Sequence, residues 1–240
     1  VNGVLRNIAR NIDSVQFDTL SIRYSMPQWI VDRFVSAYGE KKAEEIFKAF
    51  HSKSTISIRT NLTRCTPDEL RAMLEAEGVT VTAVDELDYA FVISGFDYLN
   101  GLQTFRDGLF YVQDISSMLV AQTAAPKKGD YVIDVCAAPG GKSTHIAELL
   151  QGSGHVLARD LTDNKVGMIE ENIDRHGLNN MSAEVWDATV PDADSAGKAD
   201  ILICDLPCSG LGVLGRKKDI RYKMTPESVD ELAALQRQIR

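Results

Sequence analysis

Residues 134–144, with the sequence DVCAAPGGKST, decide the fold of this chain. The residues before them, 131–133, form a short apolar run that is typical of a strand buried on both faces of a parallel sheet. Gly140 and Gly141 interrupt the strand, and the apolar spacing of residues 143–150 then predicts a helix. A strand, a glycine turn and a helix N-terminus predict a ligand pocket, because the glycine backbone can be approached closely and the free amides favour an anionic group.

Three classes of ligand use such a turn, and residue spacing distinguishes them. A phosphate-binding P-loop, GxxxxGK[ST], would need a glycine where this chain has Cys136, and the dinucleotide fingerprint GxGxxG is absent. S-adenosylmethionine needs the close backbone approach without a phosphate cradle, and a carboxylate after the next strand to hold the ribose hydroxyls. Residues 155–158 predict that strand and Asp160 follows it. The spacing therefore fits S-adenosylmethionine best.

Strands and helices alternate along the second half of the chain, which predicts an α/β fold with a parallel, doubly wound sheet. Its predicted strands are residues 131–136, 155–158, 182–186 and 200–204. The last strand would leave an apolar sheet edge exposed. Ligands of such sheets bind at the carboxyl ends of the strands, where this chain has Asp134, Asp160, Asp187 and Asp205. Each aspartate alone could simply cap a strand or helix, but four converging on one crevice favour a ligand site.

The first half of the chain predicts helices followed by a small α+β module. Two amphipathic helices are expected between residues 27 and 50, separated by Gly39. A βαββ unit follows, whose helix begins with a capping box and whose strands are residues 55–60, 79–84 and 89–93. Arg59 and Arg64 are expected on the solvated surface of this module, where they are candidates for phosphate contact.

Residues 134–144 resemble the cofactor motif of the RNA cytosine-C5 methyltransferases, the family that includes bacterial ribosomal RNA enzymes of the Fmu/Sun type. Residues 205–222, DLPCSGLGVLGRKKDIRY, resemble the second active-site motif of that family, and residues 110–119, FYVQDISSML, resemble the segment just upstream of its catalytic domain. The first ten residues, VNGVLRNIAR, resemble the last helix of the N-terminal NusB-like domain in the bacterial small-subunit enzymes. Three separated matches in the family's order, besides this start, make chance similarity a poor explanation.

The resemblance implies a Rossmann-like fold of the class I S-adenosylmethionine-dependent methyltransferases, truncated and preceded by a small α+β domain. It divides the chain into residues 1–22, the end of the NusB-like domain and a linker; 23–108, a helical linker and an RNA-recognition-like domain; and 109–240, the methyltransferase domain. No initiator Met precedes Val1, and the last apolar helical stripe stops at Arg240 without a C-cap. We therefore expect the chain to be a fragment of a longer protein.

The resemblance also implies the cofactor, the reaction and the residues that serve them. The cofactor is S-adenosylmethionine, and the reaction is methyl transfer to carbon 5 of a cytosine in RNA, with 16S ribosomal RNA as the expected partner. Asp187 is expected against the adenine, and Asp205 near the methionine and the target base. The full set of expected cofactor-binding residues is Cys136, Ala137, Ala138, Pro139, Gly140, Gly141, Lys142, Asp160, Asp187 and Asp205.

A cysteine is needed near the crevice because carbon 5 of cytosine is a poor nucleophile until a thiolate adds to carbon 6. A base must then remove the proton from carbon 5. Cys208, in the segment LPCSG, follows Asp205, and the two are the expected catalytic residues. A free cysteine is more often a small buried hydrophobe, but a polar, glycine-rich turn favours a functional one. In the family the Pro-Cys cysteine assists product release, whereas a later Thr-Cys cysteine attacks. We therefore expect the 240-residue chain by itself to bind cofactor weakly and not to turn over.

Composition indicates a soluble protein, which we expect to be cytoplasmic and monomeric, because no run of about 18 apolar residues could span a bilayer. Four cysteines without CxxC spacing argue against a disulfide framework or zinc ribbon, so no metal is expected. The formal net charge of -8 is unexpected for an RNA enzyme, but a local basic surface decides phosphate contact. The residues expected to form that surface are Arg216, Lys217, Lys218, Arg221 and Lys223.

Two other functions remain open from the sequence. One is a methyltransferase that acts on a small molecule or protein, against which the LPCSG segment and the extra α+β module argue. The other is a non-catalytic RNA-binding homologue, which would keep the fold and the basic segment but lose the attacking cysteine.

Overall fold

The computed structural model of the chain describes residues 1–11, 17–52 and 55–239. The chain forms two compact units. The helical unit comprises Val1–Ser54 and Cys208–Leu232, and the sheet unit comprises Thr55–Pro207 and Ala233–Arg240.

The elements of the described residues follow in chain order. The helices are α1 (Asn2–Asn11), α2 (Leu20–Arg23), α3 (Gln28–Tyr38), α4 (Glu40–Phe50), α5 (Pro67–Ala76), α6 (Gln103–Arg106), α7 (Ile115–Ala124), α8 (Gly141–Leu149), α9 (Asp163–His176), α10 (Ile220–Lys223) and α11 (Pro226–Gln238). The strands are β1 (Ile56–Thr60), β2 (Thr80–Val84), β3 (Leu87–Ser94), β4 (Phe110–Val112), β5 (Tyr131–Asp134), β6 (His155–Asp160), β7 (Met181–Val185) and β8 (Ile201–Ile203). No helix within these described ranges combines the length and the apolar character needed to cross a membrane.

The helical unit is held by a core that joins distant parts of the sequence. The predicted helices α3 and α4 are confirmed, and Ile30 and Phe47 on them pack with Leu211 and Leu214 from the later segment. The two compact units therefore have other boundaries than the predicted division of the chain at residues 22 and 108. Local sequence patterns could not predict these boundaries, because they do not reveal long-range core contacts. Helix α1 buries none of its residues.

The first part of the sheet unit is an antiparallel sheet in the order β2-β3-β1-β4, which with α5 and α6 we call the α+β module. Helix α5 begins with the predicted capping box, in which the Thr66 side chain accepts from the Glu69 amide and the Glu69 side chain accepts from the Thr66 amide. Leu70 and Leu74 on this helix are fully buried against the sheet. Strand β4 was not predicted, because three residues are too few to show a strand pattern.

The second part is a parallel sheet in the order β7-β6-β5-β8, which confirms the predicted α/β fold. Helix α8 follows β5 and helix α9 follows β6. Its core includes Val132, Ile146, Val156 and Ile169, all buried. Among the described residues β8 is one of the two edge strands of this sheet, as expected, and Leu202 on it is 54% exposed. The carboxyl ends of β5, β6, β7 and β8 lie side by side at one end of this sheet, and the candidate site lies there.

Candidate functional site

The segment between β5 and α8, residues 135–140, forms a tight turn that we call the glycine loop. Gly140 has φ +102°, a left-handed conformation that favours glycine, and its amide donates to the Ala137 carbonyl at 2.7 Å. Gly140 is also the N-cap of α8, and no side chain of the described residues caps this helix. The amides of the first turn of α8 are therefore available to an anionic ligand group.

Asp134, the last residue of β5, stabilises the glycine loop from the interior of the protein. It is buried, and its Oδ2 accepts a hydrogen bond from Ser143 Oγ at 2.6 Å. Burial raises the pKa of Asp134 to about 6, against the lowering effect of the Ser143 hydroxyl. Asp134 therefore ties the end of β5 to the start of α8.

Asp160, the predicted ribose partner, lies at the end of β6 with its carboxylate held in place. Its Oδ2 accepts from the Ala138 amide at 3.0 Å, and its Oδ1 accepts from the Leu161 amide at 2.8 Å and from Lys165 Nζ at 2.9 Å. Burial alone would raise the pKa of Asp160, but these hydrogen bonds, with that from Lys165 the largest, lower it overall. The carboxylate is thus a fixed anionic acceptor beside the glycine loop.

Three of the predicted aspartates, Asp160, Asp187 and Asp205, line one cavity of about 240 Å³. The structure brings these three together from the ends of three strands, whereas Asp134, the fourth aspartate of the predicted crevice, is buried and does not line the cavity. Cys136 and Ala138 line the same cavity, whereas the other predicted loop residues do not. The full lining is Val135, Cys136, Ala138, Asp160, Leu161, Lys165, Trp186, Asp187, Ala188, Thr189, Asp205, Pro207, Leu235 and Ile239.

Several lining residues were missed by the sequence reasoning. Lys165 stands in the first turn of α9 and donates to Asp160 at the end of β6, so the two residues belong to different elements and no helical spacing reveals their contact. Trp186 directly precedes Asp187, and its indole Nε1 donates to the Val190 carbonyl at 3.1 Å. Leu235 comes from the last part of α11, which belongs to the sheet unit, and no local signal reveals that it lines the cavity.

Asp187 lies at the exposed mouth of the cavity. Its Oδ1 accepts from the Thr189 hydroxyl at 2.7 Å and from the Thr189 amide at 2.9 Å. These bonds, the one from the hydroxyl being the larger effect, lower the pKa of Asp187. Its side chain is therefore anionic and fixed in direction.

Lys142 and Asp205 form an ion pair in which Lys142 Nζ donates to Asp205 Oδ2 at 2.5 Å. The pair joins the first turn of α8 to the segment after β8. Both residues, with Cys204, also line a second cavity of about 520 Å³ between α7 and the β8 edge. Asp205 thus borders both cavities.

The cysteines differ in their surroundings. Burial raises the pKa of Cys136 to about 11, and it raises the pKa of Cys204 as well. Both therefore stay thiols at neutral pH, which makes them poor nucleophiles. Cys208, the predicted catalytic cysteine, is exposed and begins the later segment of the helical unit.

Arg221 does not belong to the exposed basic surface that the sequence predicted. It is 4% exposed, and its guanidinium donates to the carbonyls of Ser25 at 3.0 Å, Tyr24 at 3.3 Å and Lys218 at 3.0 Å. Arg221 instead binds its segment to the turn between α2 and α3 within the helical unit. Of the other predicted residues, Arg216, Lys217 and Lys218 are exposed, and Lys223 pairs with Asp219 at 2.6 Å.

Arg59 is fully buried, so its predicted position on the surface of the α+β module is wrong. Its guanidinium pairs with Glu148 and donates to Gln113 Oε1 at 2.9 Å and Thr144 Oγ1 at 3.1 Å. Arg64 is more exposed, and its Nε donates to the His176 carbonyl at 3.1 Å. Neither contact could be inferred from local sequence, since the partners lie far along the chain.

Known proteins are similar to this chain in sequence and fold. Residues 121–240 match the family described as 16S rRNA methyltransferase RsmB/F, and residues 26–96 match the ferredoxin-like domain described as Methyltr_RsmF/B-like. A Bacillus subtilis (strain 168) protein named "Probable ribosomal RNA small subunit methyltransferase B" is 37% identical, over 98% of this chain and 54% of its own length. The "Ribosomal RNA small subunit methyltransferase B" of Proteus mirabilis (strain HI4320) is 32% identical, over 100% of this chain and 57% of its own length.

A solved structure, that of PH0851, matches the fold with a TM-score of 0.87 and 28% identity, over 92% of this chain and 50% of the other. This chain spans about half the length of the curated relatives it matches. The family match covers the parallel sheet from α7 onward, including the glycine loop and the three cavity aspartates. On these grounds the chain belongs to the 16S rRNA methyltransferase RsmB/F family.

Proposed function

We propose that this chain carries the cofactor-binding part of an enzyme that methylates carbon 5 of a cytosine in 16S ribosomal RNA. Membership of the family supports an rRNA methyltransferase with S-adenosylmethionine as its cofactor. The observation that carries the proposal is the convergence of Asp160, Asp187 and Asp205 on one cavity beside the glycine loop. The cytoplasmic location and the monomeric state stay predictions.

The residues around the cavity match the chemical groups of S-adenosylmethionine. Asp160 is anionic and buried, so it can accept hydrogen bonds from ribose hydroxyls. The amides at the start of α8 suit the carboxylate of the methionine part. Trp186 and Leu161 offer apolar surface to the adenine, with Asp187 beside them. When bound, the cofactor would supply a methyl group on a positively charged sulfur, and the anionic lining favours that charge.

The target base is proposed to lie near Lys142 and Asp205. Their ion pair fixes the Asp205 side chain at the border of the cofactor cavity, where its carboxylate could accept from the amino group of a cytosine. Cys208 keeps its proposed role in product release. The attack on carbon 6 is assigned to a Thr-Cys cysteine of the family pattern, and the 240 residues contain no Thr-Cys pair. Exposed Arg216, Lys217 and Lys218 are proposed to contact RNA phosphates.

Calorimetric titration with S-adenosylhomocysteine tests this proposal. We expect the chain to bind the ligand weakly, so the titration extends to millimolar ligand. Replacement of Asp160 by Asn should weaken binding at least tenfold, since hydrogen bonds to a charged acceptor contribute about 1.5–3 kcal/mol each. Asp163→Asn is the matched control, because Asp163 is exposed and outside the cavity lining. Absence of binding to the unchanged chain, or equal losses in both variants, would contradict the proposal.

A further inference from the structure

Tyr111, on β4 of the α+β module, contacts the glycine loop from outside the parallel sheet. Its hydroxyl donates to the Pro139 carbonyl at 3.1 Å. The ring lies against Gly141, where a Cβ would stand only 3.1 Å from Tyr111 Cε1. Burial raises the pKa of Tyr111 to about 12, so the hydroxyl remains a hydrogen-bond donor at neutral pH. One side chain of the module thus fixes two neighbouring points of the turn.

The Pro139 carbonyl is also held from α9. Asn172 Nδ2 donates to it at 2.9 Å and to the Tyr111 hydroxyl at 3.3 Å. Arg175 donates in turn to the Asn172 side-chain oxygen. Two elements, β4 and α9, therefore converge on a single carbonyl of the glycine loop.

Arg59, on β1 of the same module, contacts α8, the helix that follows the loop. Its fully buried guanidinium pairs with Glu148 in the second turn of α8 and donates to Thr144 Oγ1 in the first. The Thr144 hydroxyl donates to the Gly141 carbonyl at 3.2 Å. The module is thus linked by side chains to both the loop and the helix N-terminus.

We infer that the α+β module positions the cofactor-binding loop, with Tyr111 and Arg59 as positioning residues. The inference rests on the proposed function only in taking the glycine loop as the cofactor-binding element. According to this inference the module increases the affinity of the site for the cofactor, separately from any contact that the module makes with RNA. Amides that are aimed correctly before the ligand arrives bind it more tightly, because less ordering remains to be done on binding.

Tyr111→Phe removes the hydroxyl while keeping the ring, and Asn172 still holds the Pro139 carbonyl. The dissociation constant for S-adenosylhomocysteine should rise about fivefold, the usual effect of one neutral hydrogen bond. Amide hydrogen exchange in residues 140–144 should become faster without ligand. The matched control is Tyr89→Phe, since Tyr89 is a buried tyrosine of the same module whose hydroxyl has no partner among the described residues.

The inference is supported if Tyr111→Phe both weakens binding and speeds exchange in these residues, while Tyr89→Phe does neither. Where the unchanged chain binds the ligand, the inference is overturned if Tyr111→Phe matches that chain in either measurement, or if Tyr89→Phe produces the same changes. Should the unchanged chain not bind S-adenosylhomocysteine, the proposed function fails, and the exchange measurement alone then decides whether Tyr111 holds the loop.

Discussion

Replacing Arg59 by Met should destabilise the sheet unit strongly, and the size of the loss can be estimated from its contacts. The substitution removes the hydrogen bonds to Gln113 and Thr144 and leaves the Glu148 carboxyl buried without its ion-pair partner. Removing one member of a buried ion pair typically costs about 3–5 kcal/mol. Replacing both members by uncharged side chains costs much less, so Arg59→Met combined with Glu148→Gln should recover a large part of the loss.

The loss should also depend on pH. Burial raises the pKa of Glu148 to about 7, against the lowering effect of Arg59. Without Arg59 the pKa rises further, so the folded variant keeps Glu148 protonated at pH values where the parent has released that proton. A raised folded pKa means that stability is lost as the pH rises through it. The variant therefore loses additional stability relative to the parent above about pH 7, and the double variant does not.

The assay is urea unfolding followed by tryptophan fluorescence. The chain has two tryptophans, Trp29 in the helical unit and Trp186 in the sheet unit. In a Trp29→Phe background the signal reports the sheet unit alone. A loss below about 1 kcal/mol for Arg59→Met would refute the reasoning, since it would place the pair in the range of a solvent-exposed salt bridge. No recovery in the double variant would refute it as well.

Two shorter predictions concern Asp134 and the sheet edge. The pKa of Asp134 is raised from 3.8 to about 6, so its ionisation costs the folded state stability as the pH rises between about 4 and 6. As the pH rises through that range, the free energy of unfolding of Asp134→Asn should increase by about 3 kcal/mol relative to that of the parent, as measured by urea unfolding. A difference that does not change with pH would contradict this. Leu202 is 54% exposed on the β8 edge, and Leu202→Lys should reduce light scattering of the concentrated chain with little change in stability. Unchanged light scattering would contradict the expectation that chains associate through the exposed strand β8.

The parts of the structure that follow from local pattern were predicted well. Strand β5, the glycine loop and α8 are consecutive in sequence, so spacing alone located them, and Asp160 followed from the strand-end rule. Long-range polar contacts were not predictable in this way. The sequence predicts Arg59 on the surface because its partner Glu148 lies 89 residues away. It predicts Arg221 in a basic cluster because two of its three acceptors lie 196 and 197 residues away.

The division into compact units could not be predicted either, because it depends on contacts between residues that are far apart in the sequence. Leu211 and Leu214 complete a core begun by α3 and α4, and an apolar residue in a loop does not reveal what it packs against. Strand β4 escaped prediction because of its length, yet it carries Tyr111, which touches the glycine loop.

A crystal structure of the chain with S-adenosylhomocysteine would test the central claim most directly. We expect the ligand in the cavity between Asp160, Asp187 and Asp205, with the ribose hydroxyls on the Asp160 carboxylate and the amino-acid carboxylate at the start of α8. Ligand density in the cavity along β8 instead, or a ribose that makes no contact with Asp160, would contradict this expectation.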